Sequence, residues 1–212
     1  MKFGYICDCY KPELKYNYSY WENKKTTTDE LDIINYLETK NDIYNKKILH
    51  IGIGNSYLCN RLSSSNKIYG ISISNNEIIN AKNINKKNYI VYYCDKYSKN
   101  FNLIFKELSF DLIIDTNLKS YSCCEKSFKF MFENYINKLN KNGILITSRK
   151  GMSWCKRLTP SLSFSLKKLF YYKLKEIDGD ESNILQIDEM KYFSKLYSLD
   201  CEYDDKVCCL KK

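Results

Sequence analysis

Seven consecutive residues hold the densest concentration of chemistry in this chain: His50-Ile51-Gly52-Ile53-Gly54-Asn55-Ser56. The 212-residue chain has only seven glycines, and two of them stand here, where an apolar run hands over to a helix. Glycine at such a junction lets the backbone turn tightly and lets a ligand approach the main chain. The N–H groups that open the helix face the same point. His50 is the only histidine, which excludes multi-histidine metal sites and argues against a histidine-centred triad. Ten cysteines include three close pairs, Cys7-Asp8-Cys9, Cys123-Cys124 and Cys208-Cys209. None has C-x-x-C spacing, so we expect no metal site and read the cysteines as thiols or small apolar fillers. The first nine residues lack an apolar signal core, and no apolar run approaches the roughly 20 residues that cross a bilayer. A cytoplasmic location is the expectation.

Strand-like and helix-like patterns alternate around this segment. KILHIGI (47–53), KIYGISI (67–73), YIVYY (89–93), FDLIID (110–115) and Ile144 to Ser148 read as five buried strands. Thr27/Glu30, Ser74/Glu77 and Ser122/Glu125 are capping boxes. They predict helices with Leu31, Ile34 and Leu37, with Ile78, Ala81 and Ile84, and with Phe128, Met131, Phe132, Tyr135 and Leu139 facing inward. Asn142-Gly143 is expected to end the third of these. A further helix is expected near Leu162 to Leu174, and another opens at Asp188 with Met190, Phe193, Leu196 and Tyr197. The chain closes with two strands and a turn at Asp204-Asp205. Such alternation implies one α/β domain with a mostly parallel sheet, helices on both faces and an antiparallel edge strand. Residues 1–27 form an aromatic N-terminal segment, and 149–185 an irregular insertion in the domain that spans 28–212.

On these residues the chain resembles the class I S-adenosylmethionine-dependent methyltransferases. Gly52 and Gly54 match the first two glycines of that family's acid-then-G-x-G-x-G motif. Ser56 replaces the third, within an Asn55-Ser56 ending, and His50 stands at the acid. The resemblance implies a Rossmann-like, doubly wound, seven-stranded sheet and S-adenosylmethionine as cofactor, with its methionine part on this loop. In the family's second motif an acid holds the ribose hydroxyls; here that position is Ser72, and Ile73 packs on the adenine. Asp95 corresponds to the acid that meets the adenine amino group. Asp115-Thr116-Asn117 occupies the fourth motif, where acceptor and sulfonium meet. The NAD-binding alternative requires G-x-G-x-x-G and finds Tyr57 at its third glycine.

Methyl transfer needs positioning of the acceptor and exclusion of water, with a base only for a weak nucleophile such as an alcohol. Asp115 is the first candidate for that base. Acceptor choice is assigned to residues outside the common core: Tyr20 and Trp21 in the N-terminal segment, and Arg149 and Trp154 in the insertion. Aromatic faces attract a sulfonium, and a guanidinium pairs carboxylate or phosphate. The absence of a D/N-P-P-Y/F motif and of an acid pair after the fourth strand disfavours DNA-amino methylation and metal-dependent catechol-type chemistry. The net charge is +9, but only three of the 34 basic residues are arginines. Lys, Asn, Ile and Tyr share AT-rich codons, so the excess reads as codon bias on a solvated surface rather than a base-reading face. The expected acceptor is therefore a small molecule with an oxygen or nitrogen nucleophile. An RNA-directed enzyme and a noncatalytic binding module are the alternatives, and the oligomeric state is not specified.

Overall fold

The computed structural model describes residues 4–7, 21, 25–40, 43–153 and 184–212. Along them run α1 (Thr28–Thr39), β1 (Lys47–Ile51), α2 (Tyr57–Leu62), β2 (Lys67–Ser72), α3 (Asn75–Asn83), β3 (Tyr89–Tyr93) and α4 (Asn100–Ile104). These are followed by β4 (Phe110–Asp115), α5 (Glu125–Lys138), β5 (Leu139–Ser148), α6 (Arg149–Met152), α7 (Ile187–Leu196), β6 (Asp200–Tyr203) and β7 (Val207–Lys211). The seven strands form one sheet in the order β3-β2-β1-β4-β5-β7-β6. β7 alone runs antiparallel, hydrogen-bonded between β5 and β6. Each inner strand is apolar on both sides because each side of the sheet is covered. Leu49, Ile71, Ile113 and Leu145 pack beneath α4, α5 and α7 with Phe101, Phe128, Phe132 and Phe193. Ile48, Ile68, Ile114 and Ile146 pack beneath α1, α2 and α3 with Ile33, Leu58 and Ile78. The doubly wound architecture is the one expected.

Several details differ from the sequence reading. The buried face of α1 comprises Glu30, Ile33, Ile34 and Leu37, not Leu31. The helix α5 starts after Cys124 rather than at Ser122, whose hydroxyl donates to the Cys124 carbonyl at 3.0 Å. It also stops at Lys138, and Leu139 already pairs with Phe110 of β4. Asn142 does adopt the left-handed conformation, φ 66°, but within β5, where the register shifts between Phe110 and Leu112. A β-bulge, not a helix cap, uses that residue. In α7, Met190 and Phe193 are buried as expected, whereas Leu196 is exposed. The cap is Gln186, reciprocally bonded with Glu189. The expected helix near Leu162 to Leu174 lies outside the described residues. Among the described residues, no helix is long and apolar enough to cross a membrane.

Candidate functional site

Strand order reverses between β1 and β4, whose C-terminal residues Ile51 and Asp115 are register partners. Ligands of open α/β sheets bind beyond the strand ends at such a reversal. The β1–α2 loop starts there. Gly52 (φ 72°), Gly54 (φ 52°) and Ser56 (φ 63°) place three left-handed residues at alternate positions. The Gly52 and Ile53 amides both donate to the Ile71 carbonyl, at 2.9 and 3.3 Å, which fixes the loop to β2. Among the described residues, a Cβ on Gly52 would meet nothing within 4 Å, so open space lies against its backbone there. At Gly54 a Cβ would lie 2.7 Å from the Trp21 indole. The tryptophan expected to contact a ligand thus covers the second glycine.

Side chains in this loop face away from that space. Ser56 is buried and shares a 2.9 Å hydrogen bond with the Tyr89 hydroxyl. Asn55 donates to the Lys25 carbonyl at 2.6 Å and accepts from the Tyr57 amide at 3.2 Å. What the loop offers a ligand is therefore main chain. His50 is buried, with Nε2 3.7 Å from Glu30 Oε1 and with Nδ1 lacking a hydrogen-bond partner. Burial lowers its pKa to about 4, so the imidazole is neutral. Glu30 accepts hydrogen bonds from the Thr26 hydroxyl and the Leu58 amide, and its desolvation outweighs both, raising its pKa.

At the end of β2, Ser72 is buried and donates to Glu77 Oε2 at 2.5 Å. Glu77 Oε1 accepts from the Trp21 indole N–H at 3.1 Å. A hydroxyl–carboxylate pair thus occupies the strand end where Ser72 was expected alone, beside the indole that covers Gly54. Ile73 follows, half-buried. Asp95, after β3, accepts from the Tyr97 amide at 2.9 Å and from the Tyr5 hydroxyl at 2.8 Å.

Asp115 lies on the opposite side of the sheet from His50. Its Oδ2 meets Lys96 Nζ at 2.8 Å and the Tyr135 hydroxyl at 3.0 Å, and the carboxylate is only 2% exposed. Lys96 Nζ also donates to the carbonyls of Asn117 and Leu118, at 2.9 and 3.0 Å, and so holds the β4–α5 loop. Burial, with Asp115 beside it, keeps the Tyr135 phenol protonated. The Thr116 carbonyl accepts from Ser148 N and Thr147 Oγ1, each at 3.3 Å. Gly151 of α6 is essential to this approach: a Cβ there would sit 1.8 Å from the Thr116 oxygen. Arg149 stacks on Tyr203 of β6, 5.7 Å from the ring centroid, at the antiparallel edge. Tyr20 and Trp154 lie outside the described residues.

The structure therefore brings Gly52, Gly54, Trp21 and Ser72 to one place, and sets Arg149 against the edge strand. The sequence reading missed Glu77, Lys96 and Tyr5. Glu77 did carry a signal, as the last residue of S-x-x-E, but that motif reads first as a helix cap. Lys96 and Tyr5 carried none, because their partners are distant in sequence.

A family model described as a methyltransferase domain matches residues 42–191. The structure of the N-methyltransferase NodS from Bradyrhizobium japonicum WM9 superposes with a TM-score of 0.56 at 11% identity, over 89% of this chain and 97% of that one. Its complex with S-adenosyl-L-homocysteine gives 0.55 at 12% identity, over 92% and 96%. The magnesium protoporphyrin IX methyltransferase from Synechocystis PCC 6803, with S-adenosylhomocysteine bound, gives 0.57 at 10% identity, over 86% and 80%. No curated protein matches the chain in sequence.

Proposed function

Because the chain belongs to the class I S-adenosylmethionine-dependent methyltransferases, we propose that its acceptor is a small molecule presenting an oxygen or nitrogen nucleophile. The observation that carries this reading is the state of the two lysines buried beside the β4–α5 loop. Lys96 is saturated by Asp115, two carbonyls and the Ser120 hydroxyl. Lys119 lies 3.4 Å from both Glu125 and Glu189. Neither presents uncompensated charge to a polyphosphate backbone, although such contacts dominate nucleic-acid affinity. NodS and the protoporphyrin enzyme, named for N-methyl transfer and for a porphyrin acceptor, support the same class.

The residues at the strand ends fit the cofactor. Open space against Gly52 admits its methionine end to the main chain, where the buried, unpartnered His50 Nδ1 offers a polar contact. Glu77 takes the ribose hydroxyls, aided by Ser72, in place of the missing strand acid. Ile73 and Asp95 flank the adenine, and Thr116 borders the acceptor side. When bound, the cofactor supplies a methyl group already activated by its sulfonium, so the protein's tasks are orientation and desolvation. Trp21 excludes water above Gly54 and turns an aromatic face to positive charge. Asp115 acts as a positioning residue: through Lys96 it sets the backbone of residues 117–118, which borders the acceptor.

The test pairs calorimetric titration with label transfer. The full chain should bind S-adenosylhomocysteine, and label from methyl-labelled donor should enter the low-mass fraction of a cell extract. Label recovered in RNA instead would overturn the acceptor class. Absence of binding at millimolar S-adenosylhomocysteine would leave a noncatalytic module as the reading.

A further inference from the structure

Three cysteines far apart in sequence meet outside this site. Cys7 Sγ lies 3.3 Å from Cys123 Sγ, and Cys123 Sγ lies 3.8 Å from Cys124 Sγ. All three sulfurs fall within 4.8 Å of one another, and all three residues are half-buried. We propose that Cys7, Cys123 and Cys124 form a thiolate site for zinc, with water completing a tetrahedron. The spacing suits that ion. Zinc–sulfur bonds of about 2.3 Å place two thiolates about 3.8 Å apart at the tetrahedral angle. Two of the separations are 3.3 and 3.8 Å and the third lies within 4.8 Å, so small side-chain rotations close the set.

The local geometry also suits the site. Cys124 is the N-cap of the 14-residue helix α5, and its side chain makes no capping hydrogen bond, so its sulfur turns to Cys123 rather than to the helix amides. C-x-x-C spacing would have advertised such a site locally. Here tertiary structure replaces it, since Cys7 and Cys123 are 116 residues apart.

The site has a consequence for the N-terminal segment. Residues 4–7 are already fastened at two points: the Gly4 carbonyl accepts from the Lys99 amide at 2.6 Å, and the Tyr5 hydroxyl donates to Asp95 at 2.8 Å. Zinc on Cys7 adds a third fastening, to the loop that precedes α5. It thereby holds Tyr5 on the acid assigned to the adenine. The metal is structural and takes no part in methyl transfer.

Cobalt(II) is the probe, added to full-length chain that has been reduced and stripped with chelator. One cobalt per chain should bind, with the sulfur-to-cobalt charge-transfer absorption of three thiolates and the visible bands of a tetrahedral ion, and zinc should bleach both. The double variant Cys123→Ser/Cys124→Ser should lose the charge-transfer absorption. Cys201→Ser, at a half-buried cysteine on β6, should keep it. Circular dichroism establishes that each variant is folded. A zinc-dependent rise in the melting temperature of the unmodified chain, absent in Cys7→Ser, gives a readout independent of colour. An absent charge-transfer band, or one that survives the double variant, would overturn the proposal. So would mass spectrometry showing that a mild oxidant joins Cys7 to Cys123 in a chain that takes up no cobalt. Because none of these readouts uses S-adenosylhomocysteine, their failure is distinguishable from failure of the cofactor assignment.

Discussion

Two glutamates, Glu30 and Glu77, stand in matching positions and have different fates. Each is the third residue of a helix opened by Thr or Ser, and each is buried beside a strand end where the family's acid is missing. Glu77 adjoins Ser72, and Glu30 adjoins His50. At β2 the two groups share a 2.5 Å hydrogen bond, and the carboxylate also holds Trp21, the residue that covers Gly54. At β1 the gap is 3.7 Å, too long for a hydrogen bond, and the carboxylate is engaged by the Leu58 amide at the start of α2. The difference teaches that a carboxylate beside a lost strand acid need not take over its place. On the function proposed above, Glu77 restores a carboxylate at the ligand-facing strand end, bonded to Ser72 and Trp21. Glu30 braces the helix that follows the glycine loop.

The comparison depends first on the floor between the two glutamates being the cofactor turn. Gly54→Arg should remove it altogether. The substitution forces a side chain onto a left-handed residue and into the Trp21 indole. Calorimetry should show no S-adenosylhomocysteine binding at millimolar ligand, a dissociation constant weaker than about 1 mM. Retained affinity in a folded Gly54→Arg chain would place the pocket elsewhere and dissolve the contrast.

The next largest effect is on stability against pH, and it separates the β1 side from the β2 side. His50 has a folded pKa of about 4, below its unfolded value of 6.5. Its unfolded form therefore binds a proton that the folded form refuses, and stability falls as pH drops from 6.5 towards 4. Glu30 opposes this, since its raised folded pKa adds stability as pH falls through that value. Acting alone, the histidine would contribute about 3 kcal/mol across that window. Urea titrations from pH 7 to pH 4 should show the loss in the parent chain and a flatter profile in His50→Gln. An equally steep profile in the variant would assign the acid sensitivity to other groups.

Much of this was legible in the sequence where the cause is local. The glycine pair marks its own turn, because a left-handed backbone at Gly52 and Gly54 is a property of those residues. The strands announce themselves as apolar runs, because a sheet covered on both faces selects them position by position. The end of α5 was misplaced because Asn142-Gly143 carries the signature of a helix cap, and a β-bulge uses the same left-handed Asn. The acids were misread for a related reason. Ser74 and Thr27 do cap helices here by accepting from the Glu77 and Glu30 amides, but the expected return bonds from the carboxylates are not made: Glu77 meets Ser72 and Trp21, and Glu30 meets Thr26 and the Leu58 amide. The Lys96–Asp115 pair, the Tyr5–Asp95 bond and the three-cysteine cluster depend on strand order, which composition does not encode.

Glu77→Ala tests the ligand-facing half directly. A hydrogen bond to a charged group contributes about 1.5–3 kcal/mol, so S-adenosylhomocysteine should bind about 10- to 100-fold more weakly. Glu77→Gln keeps the shape and one acceptor and should recover part of the loss. If Glu77→Ala leaves affinity unchanged, Ser72 alone meets the ribose and the two glutamates are equivalent braces.

The smallest effect belongs to Glu30, and it decides whether the two sites truly differ. Glu30→Gln removes the charge while preserving volume and one oxygen acceptor. The Leu58 amide and the Thr26 hydroxyl each keep a candidate partner, so the loss is the charge assistance in those bonds. That amounts to about 1 kcal/mol of unfolding free energy. It is partly offset because a neutral side chain no longer suffers the desolvation that raises the pKa of Glu30. Affinity for S-adenosylhomocysteine should stay within about twofold, since the carboxylate's hydrogen bonds go to the Thr26 hydroxyl and the Leu58 amide and not to the glycine turn. Denaturant melts and calorimetry on the same preparation separate the two quantities. A tenfold loss of affinity with unchanged stability would reverse the assignment: Glu30, acting through His50, would then be the restored acid of the first motif rather than a brace.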